Sequence, residues 1–147
     1  MSSHNKIYLG PVQNVNPVQV ERKPSIAVKS GFLAVITGAS ASSLGTFIPH
    51  ATAGGAVGMG YVVKEPILGP VDYTYALTET AFAYQPHSGE YYQMRAVAAS
   101  YVFDQALTSN GDGTLKAANG TTDIVVCYAD ESVTTTAGAP FIRVKFK

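Results

Sequence analysis

Apolar and polar positions alternate along much of this chain with the two-residue period of a β-strand that has one buried face. The alternation is clearest in 141–146, where Ile142, Val144 and Phe146 share one face and the other face is mostly basic. Alternating or short β-branched runs predict five further strand segments: 26–36 (interrupted by Gly31), 61–65, 81–85, 92–98 and 124–129.

Turn signals separate these runs at 85–89, 109–113 and 119–120, each of which contains glycine beside proline, serine or asparagine. Short helices are the only other elements that the pattern allows, over 73–82 and 96–106. No internal repeat is visible. The sequence therefore predicts an all-β fold, a compact sandwich or barrel-like domain with at most one or two short helices.

The first 24 residues predict an extended N-terminal arm, followed by a β-rich domain over 25–147. Pro11, Pro17 and Pro24 exclude a helix and favour extended conformations at the preceding residues. The arm carries more apolar side chains than a solvated tail needs. We expect it to become ordered against its own domain or against a neighbouring subunit.

The composition allows two interpretations of the domain's surface. Its 147 residues can bury a core without disulfides. Charged residues make up 14%, against about 25% in an average soluble domain. Either a partner covers part of the surface, or the domain is simply rich in small residues.

Charge is unevenly distributed although the formal net charge is zero. Residues 1–64 carry five basic and one acidic side chain, 65–132 carry two basic and nine acidic, and 133–147 carry three basic. The zero net charge gives no reason to expect nucleic-acid binding. The asymmetry could orient head-to-tail contacts between copies, or it could be a solvated mosaic.

A single cysteine, Cys127, excludes a disulfide framework and fits a reduced compartment as a small buried hydrophobic side chain. No secretory signal is visible, and no apolar run reaches the ~18–20 residues of a membrane span.

Motifs that could carry chemistry are incomplete. Segment 35–45 resembles the glycine turn of short-chain dehydrogenases, but Pro49 interrupts the helix that should follow. Segment 110–113 resembles part of a calcium loop, yet it lacks the acidic ligand at the twelfth position and is better explained as a hairpin turn.

The three histidines, His4, His50 and His87, have neither zinc-ligand spacing nor a nucleophile elbow around a serine. We therefore expect no catalytic, metal or cofactor residues, and no enzyme. A cluster of eight aromatic residues is a stronger signal, because such rings build either a core or an interface: Tyr73, Tyr75, Phe82, Tyr84, Tyr91, Tyr92, Tyr101 and Phe103.

Segment 47–65 is small, glycine-rich and apolar, which is typical of backbones that pack closely in a β-rich assembly unit. With the arm, the acidic and aromatic middle, and the hairpin Gly111-Asp112-Gly113-Thr114-Leu115, the chain resembles the head decoration (cement) proteins of tailed bacteriophages. The resemblance extends from about Lys23 to the end. It is carried by 51–60, 71–73, 106–107, 111–115 and 141–144.

The resemblance implies a structural virion protein on the exterior of an expanded icosahedral head, assembled in the host cytoplasm. It would bind the major capsid protein as a homotrimer at three-fold sites, without nucleic acid, membrane or cofactor. The implied capsid or subunit contacts are Ile7, Tyr8, Leu9, Val12, Val15, Val18, Val20, Arg22, Lys23, Gly54, Gly55, Gly58 and Tyr73.

Two alternatives remain open from the sequence. Another virion part, such as a head fibre base or a tail component, fits the same composition. A carbohydrate-binding β domain would use exposed tyrosines such as Tyr91 and Tyr92.

Overall fold

A computed structural model describes residues 6–11 and 17–147. Within these residues the chain forms fifteen β-strands and no helix, which confirms the all-β prediction. The strands are β1 Tyr8–Gly10, β2 Gln19–Arg22, β3 Val28–Lys29, β4 Leu33–Thr37, β5 Thr46–Pro49, β6 Tyr61–Val63, β7 Thr74–Tyr75, β8 Ala81–Tyr84, β9 Tyr91–Arg95, β10 Ser100–Tyr101, β11 Ala106–Ser109, β12 Leu115–Ala117, β13 Cys127–Ala129, β14 Val133–Thr134 and β15 Phe141–Lys145.

The predicted strand segments all contain strands, and β15 buries Ile142 and Val144 on one face as its alternation predicts. The two short helices that the sequence allowed do not form. Segment 73–82 instead contains β7 and the start of β8, and 96–106 contains β10. Tyr75 and Tyr101 are buried from these short strands.

The first half of the chain forms a closed sheet. Its strands are ordered β2-β8-β6-β4-β5 and are all antiparallel. The residues that follow β2 then reach β5, the strand at the opposite edge of the sheet. Phe47 donates its N–H to the Lys23 carbonyl (3.1 Å), and Ser25 donates to the Phe47 carbonyl (3.0 Å). This parallel contact closes the sheet into the N-terminal barrel (residues 18–85), so neither edge is left as a template for aggregation.

The second half closes in the same way. Its sheet is ordered β1-β9-β15-β13-β11-β12. A parallel bridge joins Ala96 to Leu115, and Val97 donates to the Leu115 carbonyl (2.9 Å). We call this unit the C-terminal barrel (residues 90–146). The two closed sheets pack against each other in a sandwich-like domain.

The two barrels are structural repeats, which corrects the expectation that the chain has none. Seven strands, β2–β8, recur in the same order as β9–β15, and the β3–β7 ribbon recurs as β10–β14. The register also matches. Ala34 lies opposite Tyr61 as Leu107 lies opposite Cys127, and Val20 lies opposite Ala83 as Tyr92 lies opposite Val144.

The two barrels also share equivalent backbone hydrogen bonds outside the paired strands. Gly31 donates to the Val63 carbonyl and Asp104 donates to the Ala129 carbonyl, each over 2.8 Å. At the barrel ends, Gln85 donates to the Val18 carbonyl (2.8 Å) and Phe146 donates to the Glu90 carbonyl (3.0 Å). Shared order, register and loop bonds indicate a tandem duplication.

The repeat was invisible in the sequence because the two cores distribute their volume differently. Tyr61 in the N-terminal barrel occupies the position of Cys127 in the C-terminal barrel, and Ala81 and Ala83 occupy those of Ile142 and Val144. Cores conserve total volume better than individual residues, so large and small side chains have exchanged positions.

The predicted N-terminal arm is extended and packs against its own domain, one of the two possibilities that the sequence left open. β1 pairs with β9, and β2 pairs with β8. Ile7 is completely buried in the core of the C-terminal barrel, and its N–H donates to a Glu65 carboxylate oxygen (2.9 Å). Within the described residues, the arm is thus part of both sheets.

The junction between the barrels is asymmetric. The outward side chains of Leu33, Val62 and Tyr84 on the N-terminal barrel belong to the same buried cluster as the core of the C-terminal barrel. Leu33 donates its N–H to the Gly113 carbonyl (2.8 Å). The equivalent positions on the C-terminal barrel, Ala106, Tyr128 and Lys145, are only half-buried. The two barrels therefore meet head to tail, through different faces.

Candidate interaction surfaces

The arm residues expected at a capsid or subunit contact divide into buried and accessible groups. Ile7 is buried, while Tyr8, Leu9, Val20 and Arg22 are half-buried. Two arm residues from the expected contact set are exposed: Val18 and Lys23. Val12 and Val15 lie outside the described residues.

Two of the half-buried arm residues are engaged within the chain. The Tyr8 ring contacts those of Tyr84 and Tyr92, with centroids 5.7 and 5.4 Å away. Arg22 donates from Nε to the Leu44 carbonyl (3.0 Å). These contacts fix the arm against its own domain.

The glycine-rich segment packs closely at Gly54 but not at Gly58. Gly54 is buried, and an added Cβ would overlap the Asp123 carboxylate. Gly54 donates to the Ser109 carbonyl (2.8 Å), and Ile124 donates to the Gly54 carbonyl (2.9 Å). Gly58 has a positive φ of 63° with open space around it.

The two glycine-rich segments singled out in the sequence meet in the structure. A Cβ at Gly111 would lie 2.9 Å from the backbone nitrogen of Ala53. A Cβ at Gly55 would lie 2.5 Å from Cγ2 of Thr52, within the same loop. The close backbone approach therefore joins the β5–β6 loop to the β11–β12 hairpin, across the junction between the barrels.

The hairpin interpretation of segment 110–113 is confirmed. Gly111 and Gly113 have φ values of 87° and 89°, and Asn110 donates its N–H to the Thr114 carbonyl (2.9 Å). Asp112 accepts the Thr114 N–H (2.9 Å), so this carboxylate completes the turn.

Most of the aromatic cluster builds the core, although Phe82 is half-buried and Phe103 is 65% exposed. Tyr75, Tyr84, Tyr92 and Tyr101 are buried. Every one of the nine tyrosines lies within the described residues, and none of them is exposed. Burial raises the pKa of Tyr84, and the nearby Glu65 carboxylate raises it further.

Tyr73 and Tyr91 are the half-buried tyrosines of that cluster. Tyr73, an expected contact residue, donates its hydroxyl to Glu79 (2.7 Å) and contacts the Tyr75 ring at 5.1 Å. Lys145 lies over the Tyr91 ring at 5.4 Å. Neither ring stands free as a platform for a sugar.

A serine–histidine pair that the sequence did not reveal spans the junction. His50 Nδ1 and Ser109 Oγ lie 2.6 Å apart. His50 Nε2 lies 3.2 Å from the Ala56 carbonyl, which can only accept, so Nε2 carries the proton and Nδ1 accepts the serine hydroxyl proton. Ser109 is fully buried, so the pair joins two elements and presents no nucleophile to a substrate.

A second polar cluster surrounds the buried carboxylate of Glu90, which begins the C-terminal barrel. It accepts the Tyr92 hydroxyl, and His87 Nδ1 lies 3.3 Å from its other oxygen. Burial raises the pKa of Tyr92, and the hydrogen bond to Glu90 adds to this effect. The cluster secures the turn between the barrels.

The surface best shaped for a partner is an apolar groove of about 370 Å³ between the barrels. Equivalent parts of both repeats form it, namely the β5–β6 and β12–β13 loops and the ends of the chain after β8 and β15. Its lining carries no charged side chain: Leu33, Ala56, Val57, Gly58, Met59, Gly60, Gln85, Pro86, Ile124, Val125, Val126 and Phe146.

Three groove residues expose apolar area to solvent. Met59 is 61% exposed, Ile124 is 51% exposed and Val125 is 40% exposed. Adjacent exposed apolar side chains on ordered loops are characteristic of an interaction surface. This groove was not predicted, because the β5–β6 and β12–β13 loops that line it are more than sixty residues apart in the chain.

No three or more His, Cys, Asp or Glu side chains among residues 6–11 and 17–147 are placed so that they could hold a metal ion. The same residues contain no helix that is long and apolar enough to cross a membrane.

The sequence matches no known protein-family model, and no curated protein is significantly similar to it.

Proposed function

We propose that this chain is a structural virion protein that binds the outer surface of an expanded icosahedral phage head and stabilises it, as a trimer at three-fold sites. The observation that carries the proposal is the uncharged groove between the two barrels, with Met59, Ile124 and Val125 exposed at its surface. The sequence resemblance to head decoration proteins supplies the partner, the major capsid protein.

The chemistry of the groove favours a protein partner with an apolar segment. Uncharged walls cannot compensate the desolvation of a charged ligand, whereas they gain ~25 cal/mol for each Å² of apolar surface removed from water. Parallel contacts close both barrels at β5 and β12, so the loops rather than these strand edges are available for the capsid.

Stabilisation follows from mass action. A protein that binds the expanded lattice and not its precursor lowers the free energy of the expanded state by its binding free energy. Many copies on one head multiply a modest contact. The head then resists the pressure of the packaged DNA without any chemical step.

The arm has a different role from the one the resemblance implies. Its described residues already pair with β8 and β9, so they hold the two barrels together. The proposal therefore assigns the capsid contact to the groove. Val18 and Lys23, the exposed arm residues, remain available to neighbours.

The test is decoration of expanded heads from the source phage that lack this chain, using a groove variant that combines Met59→Glu and Ile124→Glu. We expect affinity to fall at least about tenfold, since each change places a charge in an uncharged contact. Ile67→Glu is the matched control, because Ile67 is 74% exposed and lies outside the groove. Equal binding by the groove variant and the control would exclude the groove, and no binding by the unaltered chain would exclude the function.

Carbohydrate binding loses its main support in this structure. Tyr92 is completely buried, and Tyr91 is half-buried beneath Lys145. The two rings that the alternative required therefore offer no stacking surface.

A further inference from the structure

One turn of the N-terminal barrel is covered by the C-terminal barrel. This β3–β4 turn contains Ser30 and Gly31. Arg95 donates its backbone N–H to the Gly31 carbonyl (2.9 Å) and its Nε to the Ser30 carbonyl (2.7 Å). A Cβ at Gly31 would lie 2.9 Å from the Phe141 ring. The turn is therefore a docking point between the repeats.

The equivalent turn of the C-terminal barrel is uncovered. In this β10–β11 turn, Asp104 takes the place of Gly31, with a φ of 65° where Gly31 has 83°. The preceding Val102 and Phe103 are 61% and 65% exposed. Large apolar side chains thus occupy the free turn, whereas the covered turn carries Lys29 and Ser30.

The exposed turn is held in one shape. Gln105 donates its N–H to the Val102 carbonyl (3.1 Å), and Val102 donates its N–H to Gln105 Oε1 (3.0 Å). Phe103 donates its N–H to Ser132 Oγ (2.9 Å). Val102 and Phe103 are therefore presented on a fixed backbone, so little ordering entropy is lost when a partner covers them.

We infer that this turn is the docking surface for the N-terminal barrel of a second copy, which repeats the head-to-tail contact already present within the chain. The N-terminal barrel leaves the matching elements free. Lys23 occupies the position of Arg95, and Gly45 occupies that of Gly113, whose carbonyl accepts from Leu33 at the internal junction. Lys23 is exposed, and Leu44, next to Gly45, is 73% exposed.

Charge is complementary at the same place. Across the internal junction Arg95 forms an ion pair with Asp72. In the register of the β3–β7 and β10–β14 pairs, Tyr75 corresponds to Val133, so the position equivalent to Asp72 is Asp130 in the C-terminal barrel. A second copy would bring Lys23 toward Asp130 and Asp104. These carboxylates already pair with Arg143 and Lys147 within the chain, so Lys23 would join existing ion pairs as a further cation. Such contacts select the orientation of the incoming copy.

Repeated head-to-tail contacts produce a closed ring or an open filament, depending on whether the rotation closes. A ring of three copies would contain six barrels. The ring size rests on the proposed function, which requires trimers, whereas the contact surface rests on the internal junction alone.

The test is a disulfide formed in trans between two single variants, Lys23→Cys and Phe103→Cys. The corresponding residues at the internal junction, Arg95 and Ser30, are in direct contact, so the proposed interface brings the two cysteines together. Mixed under mild oxidation, the variants should give a hetero-dimer in sedimentation and denaturing gels, while neither variant alone should. Cys127 is buried and does not compete.

Leu68→Cys, at a fully exposed position outside this surface, replaces Phe103→Cys in the control mixture. Cross-linking that is equal in both mixtures, or absent from the Lys23→Cys and Phe103→Cys mixture, would overturn the inference. Phe103→Asp provides a second readout and should convert the oligomer to monomers in sedimentation velocity. An unaltered chain that sediments as a monomer would also overturn it.

The two proposals fail separately. If the protein cross-links in trans but does not bind heads, the head-to-tail interface is supported and the capsid function is excluded. Head binding by an unaltered chain that sediments as a monomer and gives no trans cross-link would leave the capsid contact and exclude head-to-tail association.

Discussion

Gly31 and Asp104 occupy the same position in two repeats of one fold. Both have positive φ, and each donates its N–H over 2.8 Å to the equivalent carbonyl, that of Val63 or Ala129. Gly31 is buried at the junction between the barrels, whereas Asp104 is exposed. The two turns share one backbone conformation. Contact with the other barrel at Gly31, and its absence at Asp104, therefore determines which side chain each turn can carry.

This pair gives the first prediction. Gly31→Ala should lower the free energy of unfolding by ~1–3 kcal/mol, because the new Cβ enters a left-handed backbone and meets the Phe141 ring. Asp104→Gly should change it by less than ~1 kcal/mol, since relief of the backbone is offset by the added entropy of the unfolded chain. Urea titration monitored by tyrosine fluorescence measures both. Equal destabilisation by the two changes would contradict the assigned equivalence.

A second prediction contrasts two glycines of one loop. Gly54→Ala should cost ~3 kcal/mol because its Cβ would displace Asp123, while Gly58→Ala should cost only the ~1 kcal/mol of its left-handed backbone. Thermal unfolding of the two variants under one condition compares them. If Gly58→Ala is the more destabilising change, the described packing of this loop is wrong.

The third prediction concerns the arm. Ile7→Ala should destabilise the protein by ~2–5 kcal/mol, the usual cost of a cavity at a fully buried aliphatic side chain. Deletion of residues 1–22 should be still more damaging, because β1 and β2 are then lost from both sheets.

Val18→Ala is the matched control for the arm, since Val18 is 45% exposed and should change stability by less than ~0.5 kcal/mol. Circular dichroism melting curves of the three variants provide the measurement. A truncated protein that melts like the full chain would show that the arm does not belong to the core.

The fourth prediction concerns alkaline pH. Burial raises the pKa of Tyr75, Tyr84 and Tyr92 in the folded protein. In the unfolded chain these hydroxyls titrate near the ordinary value of about 10, so above that pH the unfolded state binds fewer protons than the folded state. These three tyrosines should therefore leave the free energy of unfolding unchanged below about pH 10 and lower it as the pH rises further.

The slope of that fall identifies the groups. Each tyrosine contributes up to ~1.4 kcal/mol per pH unit, and Tyr84→Phe should remove one such contribution. Urea unfolding at several pH values between neutrality and strong alkali measures the slope. An unchanged slope in Tyr84→Phe would mean that this hydroxyl titrates normally in the folded protein.

The parts of the fold that were predictable from sequence are those encoded locally. The alternation around Ile142 and Val144 located β15, and the glycines at 111 and 113 located a hairpin. The closures at Phe47 and Leu115 were not predictable, because each depends on one parallel contact between residues about twenty positions apart. The duplication was hidden since equivalent core positions such as Tyr61 and Cys127 differ in size.

The candidate surfaces were less accessible to sequence reasoning. Met59 and Ile124 carry no local signal that they line one groove, and the exposure of Phe103 follows from its position in the second repeat. The arm residues chosen for a capsid contact are apolar, but apolarity alone does not distinguish Ile7, which is buried, from Val18, which is exposed.

The most direct test of the central claim is sedimentation of a lysate of the native source, probed with an antibody against this chain. The proposed function predicts that the chain migrates with DNA-filled, virus-sized particles, at many copies per particle. Its presence only among slowly sedimenting soluble proteins would contradict a role in the virion shell.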